Sequence, residues 1–486
     1  MHISEALKLG KTQPELDFVD VSLHADTPLF LDPAAFHEGQ GAFAENCSKD
    51  ITEFFEAVLD AAGAGDWEFG LSLLKGLREP DEIQLGFSKG KPRGRGVGEQ
   101  QAEQIFETIL HSKAIKSGTI QDLNDALMFV PGIGPDKISD ITTNIVRKHL
   151  IEYTQNQFDL YGIDIPSQMP TGLLWDSINR EWSESYDYIP VIETRKILLV
   201  PKRFVKYHYD FSKLGQRYYD GFVANFIRQR ELSTMGKMVR FIPNKKSPPT
   251  PHVYKEDIEK AVPRTKDSMA EFSPQHPDVY KKFKDSFFKH NPISVNVIIS
   301  AQGGNFNEIE FSKHAANALQ SMPTGTRASS DYQSLIVGLL HFLFYPHLSN
   351  PVLERPINNG RKRIDISFDN TAERGIFSRI RQDPFFVGRE VMIECKNYTH
   401  DLENPEIDQL IGRFDNRRGK FGIIMCRDIK DKNLIQKRCD DAFKSQQGAI
   451  VILTDADVEE ALLAGPLGRE HRLETAIQGQ MRNLLS

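Results

Sequence analysis

Three residues in the last third of the chain have types and spacing suited to phosphoryl chemistry: Asp365, Glu394 and Lys396. Asp365 stands between Ile364 and Ile366 in an alternating segment, Arg363-Ile364-Asp365-Ile366-Ser367-Phe368. Glu394 and Lys396 stand in a second one, Val391-Met392-Ile393-Glu394-Cys395-Lys396. Both segments read as strands, and on a strand the i, i+2 spacing puts Glu394 and Lys396 on one face while Ile393 and Cys395 take the other. Two carboxylates offer the hard oxygens that Mg²⁺, or Mn²⁺ as the alternative ion, requires; such an ion lowers the pKa of a bound water and screens phosphate charge. A neighbouring ammonium can position the water or stabilise the phosphate. The structural alternative makes the three residues cross-strand ion partners of little energetic weight.

Those side chains converge only if a sheet presents them. The surrounding pattern predicts an apolar helix over 332–344, strands over 352–357, 363–368 and 391–395, and a helix over 406–414. A strand over 421–426, a helix over 433–443 and a strand over 449–453 follow. The order describes an α/β domain with a mixed central sheet.

Over about 328–460 this pattern resembles the PD-(D/E)XK, restriction-endonuclease-like nuclease superfamily, with Asp365 as the family's "D" and Glu394-Cys395-Lys396 as its "(D/E)xK". The resemblance implies Asp365, Glu394 and Lys396 as catalytic residues, the first two as metal ligands, and Gln409 on the following helix as a fourth site residue. Ile364 replaces the family's proline. The family's first-helix acid has two candidates, Asp331 and Glu354, and neither is singled out by the sequence.

A second motif, Phe129-Val130-Pro131-Gly132-Ile133-Gly134-Pro135-Asp136-Lys137, lies between two helical patterns. It resembles the hairpin of helix-hairpin-helix DNA-binding motifs, in which Gly132 and Gly134 would let backbone amides approach a phosphate beside Lys137. Phosphate contact is the expectation here; Asp136 and the acidity of the surrounding block weigh against it and leave a packing corner between two helices as the alternative.

Charge is distributed unevenly. Residues 1–190 carry 15 Lys and Arg against 31 Asp and Glu, 191–290 carry 21 against 11, and 291–486 carry 24 against 25. The middle block is therefore the expected phosphate-gripping region. Within it, Lys202, Arg203, Lys206, Arg228 and Arg230 are interleaved with aromatic residues, a pattern that can stack bases or simply pack inward. Residues 241–290, rich in Pro and Lys, read as linker. The Gly-rich basic stretch 89–98 lacks the spacing of a phosphate loop.

The length suits two or three domains: a mainly helical recognition or regulatory region over 1–190, a basic connector of mixed α and β structure over 191–325, and the nuclease-like domain over 326–486. No apolar run approaches a membrane span, Met1 to Gly10 lacks a signal pattern, and the four cysteines show no CxxC spacing; the expectation is a cytoplasmic protein without a membrane partner. No zinc-like Cys/His cluster, nucleophile elbow or Walker motif gives another enzyme class a foothold. The resulting expectation is a Mg²⁺-dependent DNA endonuclease, by analogy in restriction or anti-phage defence, with a homo-oligomer or an accessory defence protein as partner. Its alternatives are a repair or recombination nuclease and a catalytically silent DNA- or partner-binding protein.

Overall fold

Apolar runs long enough to be buried on both sides decide the architecture of the C-terminal part. The computed structural model describes residues 1–86, 103, 106–107, 125, 128–130, 133–207, 213–243, 248–287, 291–353, 366–398 and 400–485. Helix α3 (Ser329–Phe344) has every residue from Leu335 to Phe344 buried, as expected of a helix apolar all round. Strands β1 (Leu348–Val352), β2 (Ile366–Asn370), β3 (Glu390–Lys396), β4 (Phe421–Cys426) and β5 (Ala449–Thr454) form one mixed sheet in the order β5-β4-β3-β2-β1. The first three strands are antiparallel; β3, β4 and β5 run parallel. β4 and β5 are buried along their whole length, the pattern of parallel strands covered on both faces.

The expected series of elements is present, with shifts. The first strand is Leu348–Val352, earlier than the expected 352–357, whose last residues lie outside the described ones. Ser349, Asn350 and Pro351 conceal it in the sequence, and its edge position is where a sheet tolerates proline. Helix α4 (Gly375–Gln382) was not expected; it is short and buries only Ile376, Phe377, Ser378 and Ile380. The helix after β3 is α5 (Asn404–Ile411), shorter than the expected 406–414. Helices α6 (Lys432–Lys444), α7 (Asp455–Leu463) and α8 (Arg469–Leu485) complete this part.

Two hydrophobic cores divide the described residues. One gathers residues from Ile3 to Ile298, the other from Ala315 to Leu484. The first contains helix α1 (Ala42–Ala64) and helix α2 (Pro135–Leu160), together with a hairpin of Gln168–Asp176 and Glu181–Tyr188. It also holds much of the middle block: Phe36 stacks on Phe204 at 4.5 Å between ring centroids, and Leu29–Leu31 pairs with Val205–Tyr207.

The stretch expected as linker carries helices Lys255–Ala261, Lys266–Gln275 and Pro277–Phe287, with Ile258, Met269, Phe272 and Phe283 buried. The apolar run Lys196-Ile197-Leu198-Leu199-Val200, which alone would suit a strand, contributes only Lys196 to one, the two-residue strand Arg195–Lys196. Ile197–Val200 are buried, but their amides go elsewhere, Leu198 N–H to the Glu82 carbonyl and Leu199 N–H to the Thr154 hydroxyl.

Candidate active site

Strand alternation and one helix assemble the candidate site. On β3, Glu390, Met392, Glu394 and Lys396 share a face, and the antiparallel register with β2 sets Ile366 opposite Ile393. Helix α5 starts at Glu403 with a reciprocal capping box to Glu406 and holds Asn404-Pro405 in its first turn. It carries Gln409 over the strand.

The Lys396 ammonium donates to Glu394 Oε1 at 2.6 Å and to Gln409 Oε1 at 3.3 Å. The other carboxylate oxygen, Glu394 Oε2, accepts from Arg413, just past the end of α5. The side chains of Glu394 and Arg413 are each 1% exposed and that of Lys396 is 14% exposed. A buried carboxylate is thus held between two cations, one sealed and one reaching the surface. Beside them the Tyr398 hydroxyl donates to Glu406 Oε1 at 2.7 Å, and the Tyr398 ring stacks on His400 at 4.0 Å. Burial, then the Glu406 carboxylate, push the Tyr398 hydroxyl far above its usual range. Burial works to raise Glu406, but the Tyr398 hydroxyl and the cap amides outweigh it and hold that carboxyl below its usual range.

The sequence-derived residues divide as follows. Glu394, Lys396 and Gln409 are brought together. Asp365, Glu354 and Gly132 lie outside the described residues. Asp331 is exposed in the first turn of α3. Arg413 was not anticipated; its spacing of four from Gln409, one helical turn, was the available signal. Among the described residues no group of three or more His, Cys, Asp or Glu could hold a metal ion. Glu394 alone, with both oxygens engaged by cations, does not make a Mg²⁺ site, and the fit of a dication rests on Asp365.

Three of the five cations of the middle block assigned to nucleic acid are corrected. Lys202, Arg203 and Lys206 are 0%, 2% and 8% exposed. The Lys202 ammonium lies over the Tyr345 ring and near the Gln13 and Pro14 carbonyls. Arg203 donates to the Pro346 carbonyl at 2.6 Å, and Lys206 pairs with Asp32 at 2.5 Å. They are buried charges held by internal partners, out of reach of a phosphate backbone; Phe204 between them packs inward, while Tyr207 is exposed. Arg228 and Arg230 do reach the surface of helix Ala224–Thr234, where Arg228 donates to Asn225 at 2.7 Å.

At the glycine hairpin, Gly134 precedes α2 in extended conformation and Lys137 is half-buried. The Val130 and Ile133 carbonyls accept from the Lys266 ammonium at 2.8 and 3.1 Å. Nearby, Asp140 is pushed up to about 7 by burial and then by Glu79, Asp136, Asp81 and Asp26. An acidic surround favours the packing-corner reading of this turn.

Residues 8–212 match a family described as a domain of unknown function (DUF8370), a span that includes the glycine hairpin and ends well before β3. No curated protein and no solved structure matches the chain. No helix among the described residues is long and apolar enough to cross a membrane.

Proposed function

We propose that the chain is a Mg²⁺-dependent phosphodiesterase cleaving DNA, with a restriction-endonuclease-like domain over 326–486. The observation that carries this reading is the cluster on β3: a lysine reaching the surface, fixed between the carboxylate two residues before it and the amide of Gln409. A lysine so held is pre-aimed, which is what stabilising charge in a transition state requires. In this reading Lys396 donates to the attacked phosphate or its water, Gln409 orients the ammonium, and Arg413 compensates the buried Glu394. Asp365 and Glu394 would hold the cation. Bound there, Mg²⁺ supplies an acidified water and screens the phosphate. Restriction or defence is the biological setting we attach to it by analogy of domain make-up.

One observation favours a second reading, a binding protein without cleavage: both Glu394 oxygens are already neutralised. Incubation of the full chain with supercoiled, linear and single-stranded DNA and with RNA, in Mg²⁺ or EDTA, separates the two. Cleavage of DNA in Mg²⁺ that EDTA abolishes is expected; binding without cleavage of any substrate would establish the second reading instead.

A further inference from the structure

A cleft of about 530 Å³ lies where the start of α1 meets the far end of β2 and β3, apart from the Glu394 cluster. That volume falls in the range of small-molecule sites. Arg381 from α4, Arg389 from the turn before β3, and Arg417 and Arg418 from the turn before β4 line it. Arg418 is committed to Glu390, its Nε donating at 2.9 Å. Arg381, Arg389 and Arg417 make no direct ion pair with a described residue; burial holds the Arg381 guanidinium below its usual range although the carboxylates of Glu373 and of Glu45, which lines the same cleft in the first turn of α1, act against that.

Their backbones are pinned. The buried Asn370 amide donates to the Phe377 and Gly388 carbonyls at 2.8 and 2.7 Å, tying α4 to the turn that carries Arg389. Asp415 accepts from the amides of Arg417 and Arg418 at 2.6 and 3.0 Å. Three arginines rooted on fixed turns around one cavity, Arg389 and Arg417 with exposed side chains, can converge on one anion, because the planar fork matches phosphate oxygens two at a time.

Two further features bear on the charge of the cleft. Helix α1 begins at Gly41, which has no side chain to cap the first turn, and Gly41 and Ala42 line the cleft. The positive end of a 23-residue helix therefore faces the same space. Gly41 adopts φ +98°, and a Cβ there would stand 2.7 Å from Asp369 Oδ2, so glycine is what lets the helix start approach β2. Asp369 is pushed up to about 7 by burial, which removes much of its repulsion toward an anion near neutral pH and leaves a carboxyl able to bond a hydroxyl.

We propose that this cleft binds a free nucleotide, its phosphates held by Arg381, Arg389 and Arg417 against the first turn of α1. The occupant would join the start of α1 to the sheet without any new protein contact. The inference stands whether or not the Glu394 cluster cleaves DNA.

The test is calorimetric titration of the full chain with ADP, GDP, CDP and UDP, with adenosine, and with the single strand (dT)12. At least one nucleoside diphosphate should bind at a single site, and adenosine about tenfold or more weakly, the loss of one charge-assisted contact. Replacing Arg389 and Arg417 by Gln should weaken the diphosphate by a similar factor or more. Ala42→Glu is the discriminating variant: an acid in the first turn favours the helix, so the melting temperature should hold or rise, while the negative charge in the cleft should abolish binding. Absence of binding by all four diphosphates, or affinities unchanged in these variants, overturns the proposal. So does (dT)12 binding that the variants weaken while no diphosphate binds, because the cleft would then follow a strand.

Discussion

Removing either cation from Glu394 should have opposite consequences for stability and for activity. Arg413→Ala leaves a carboxylate of 1% exposure with one remaining partner, and breaking a buried ion pair costs about 3–5 kcal/mol. Lys396→Ala removes a partner that water partly reaches and keeps Arg413 in place, so the loss is closer to a charged hydrogen bond, about 1.5–3 kcal/mol at most. At roughly 2–4 °C per kcal/mol for a domain of this size, Arg413→Ala should melt lower by about 6–20 °C and Lys396→Ala by clearly less. Cleavage should rank the other way among folded protein: Lys396→Ala loses about two orders of magnitude or more, the scale of one transition-state stabiliser. Urea unfolding followed by two probes, with single-turnover cleavage of supercoiled DNA below each transition, measures both. Equal destabilisation by the two variants would show that burial does not set the weight of these pairs. Wild-type cleavage by Lys396→Ala would reduce the lysine to an ion partner and remove the main support for the nuclease reading.

Five other outcomes are expected. Calorimetry should find Mg²⁺ affinity in the wild type that Asp365→Ala loses; equal affinity would remove Asp365 as a ligand. Asp369, raised to about 7, binds a proton in the folded chain that the unfolded chain releases near its ordinary pKa, so its contribution to stability falls as pH rises from about 4 through 7. Asp369→Asn should therefore gain on the wild type at pH 8 and not at pH 4, as read by urea midpoints. Lys202, lowered to about 7 by burial, has the opposite sign: the unfolded chain keeps its proton above pH 7, stability rises with pH from about 7 to 10, and Lys202→Met should lose that rise, which amounts to at most about 1.4 kcal/mol per pH unit. The same variant should leave the salt dependence of DNA binding unchanged, whereas neutralising Arg228 and Arg230 should flatten it if they touch phosphates. Gly134 has φ −114° and no atom within 4 Å of an added Cβ, so Gly134→Val should fold; unchanged DNA affinity in it would support the packing corner, and a fall would restore the phosphate-contact reading.

Local pattern was enough to determine β3, β4 and β5 and their faces, whereas β1, broken by Ser349, Asn350 and Pro351, was placed too late in the chain. The alternation around Glu394 and Lys396 specified one shared face because side-chain period on a strand is set by backbone geometry, and the continuous apolar runs at 421–426 and 449–453 specified buried strands for the same reason. Gln409 was singled out by the family resemblance, on the helix expected after β3. What only the tertiary structure decided is where each charge ends up. Lys202, Arg203 and Lys206 read as a basic, aromatic surface stretch, yet distant carbonyls and acids, at Gln13, Pro346 and Asp32, make their burial tolerable, and no local window contains those partners. Arg413 and the arginine cleft belong to the same class: their meaning depends on which turns a sheet and a remote helix start bring together, and that is a property of long-range packing rather than of sequence spacing.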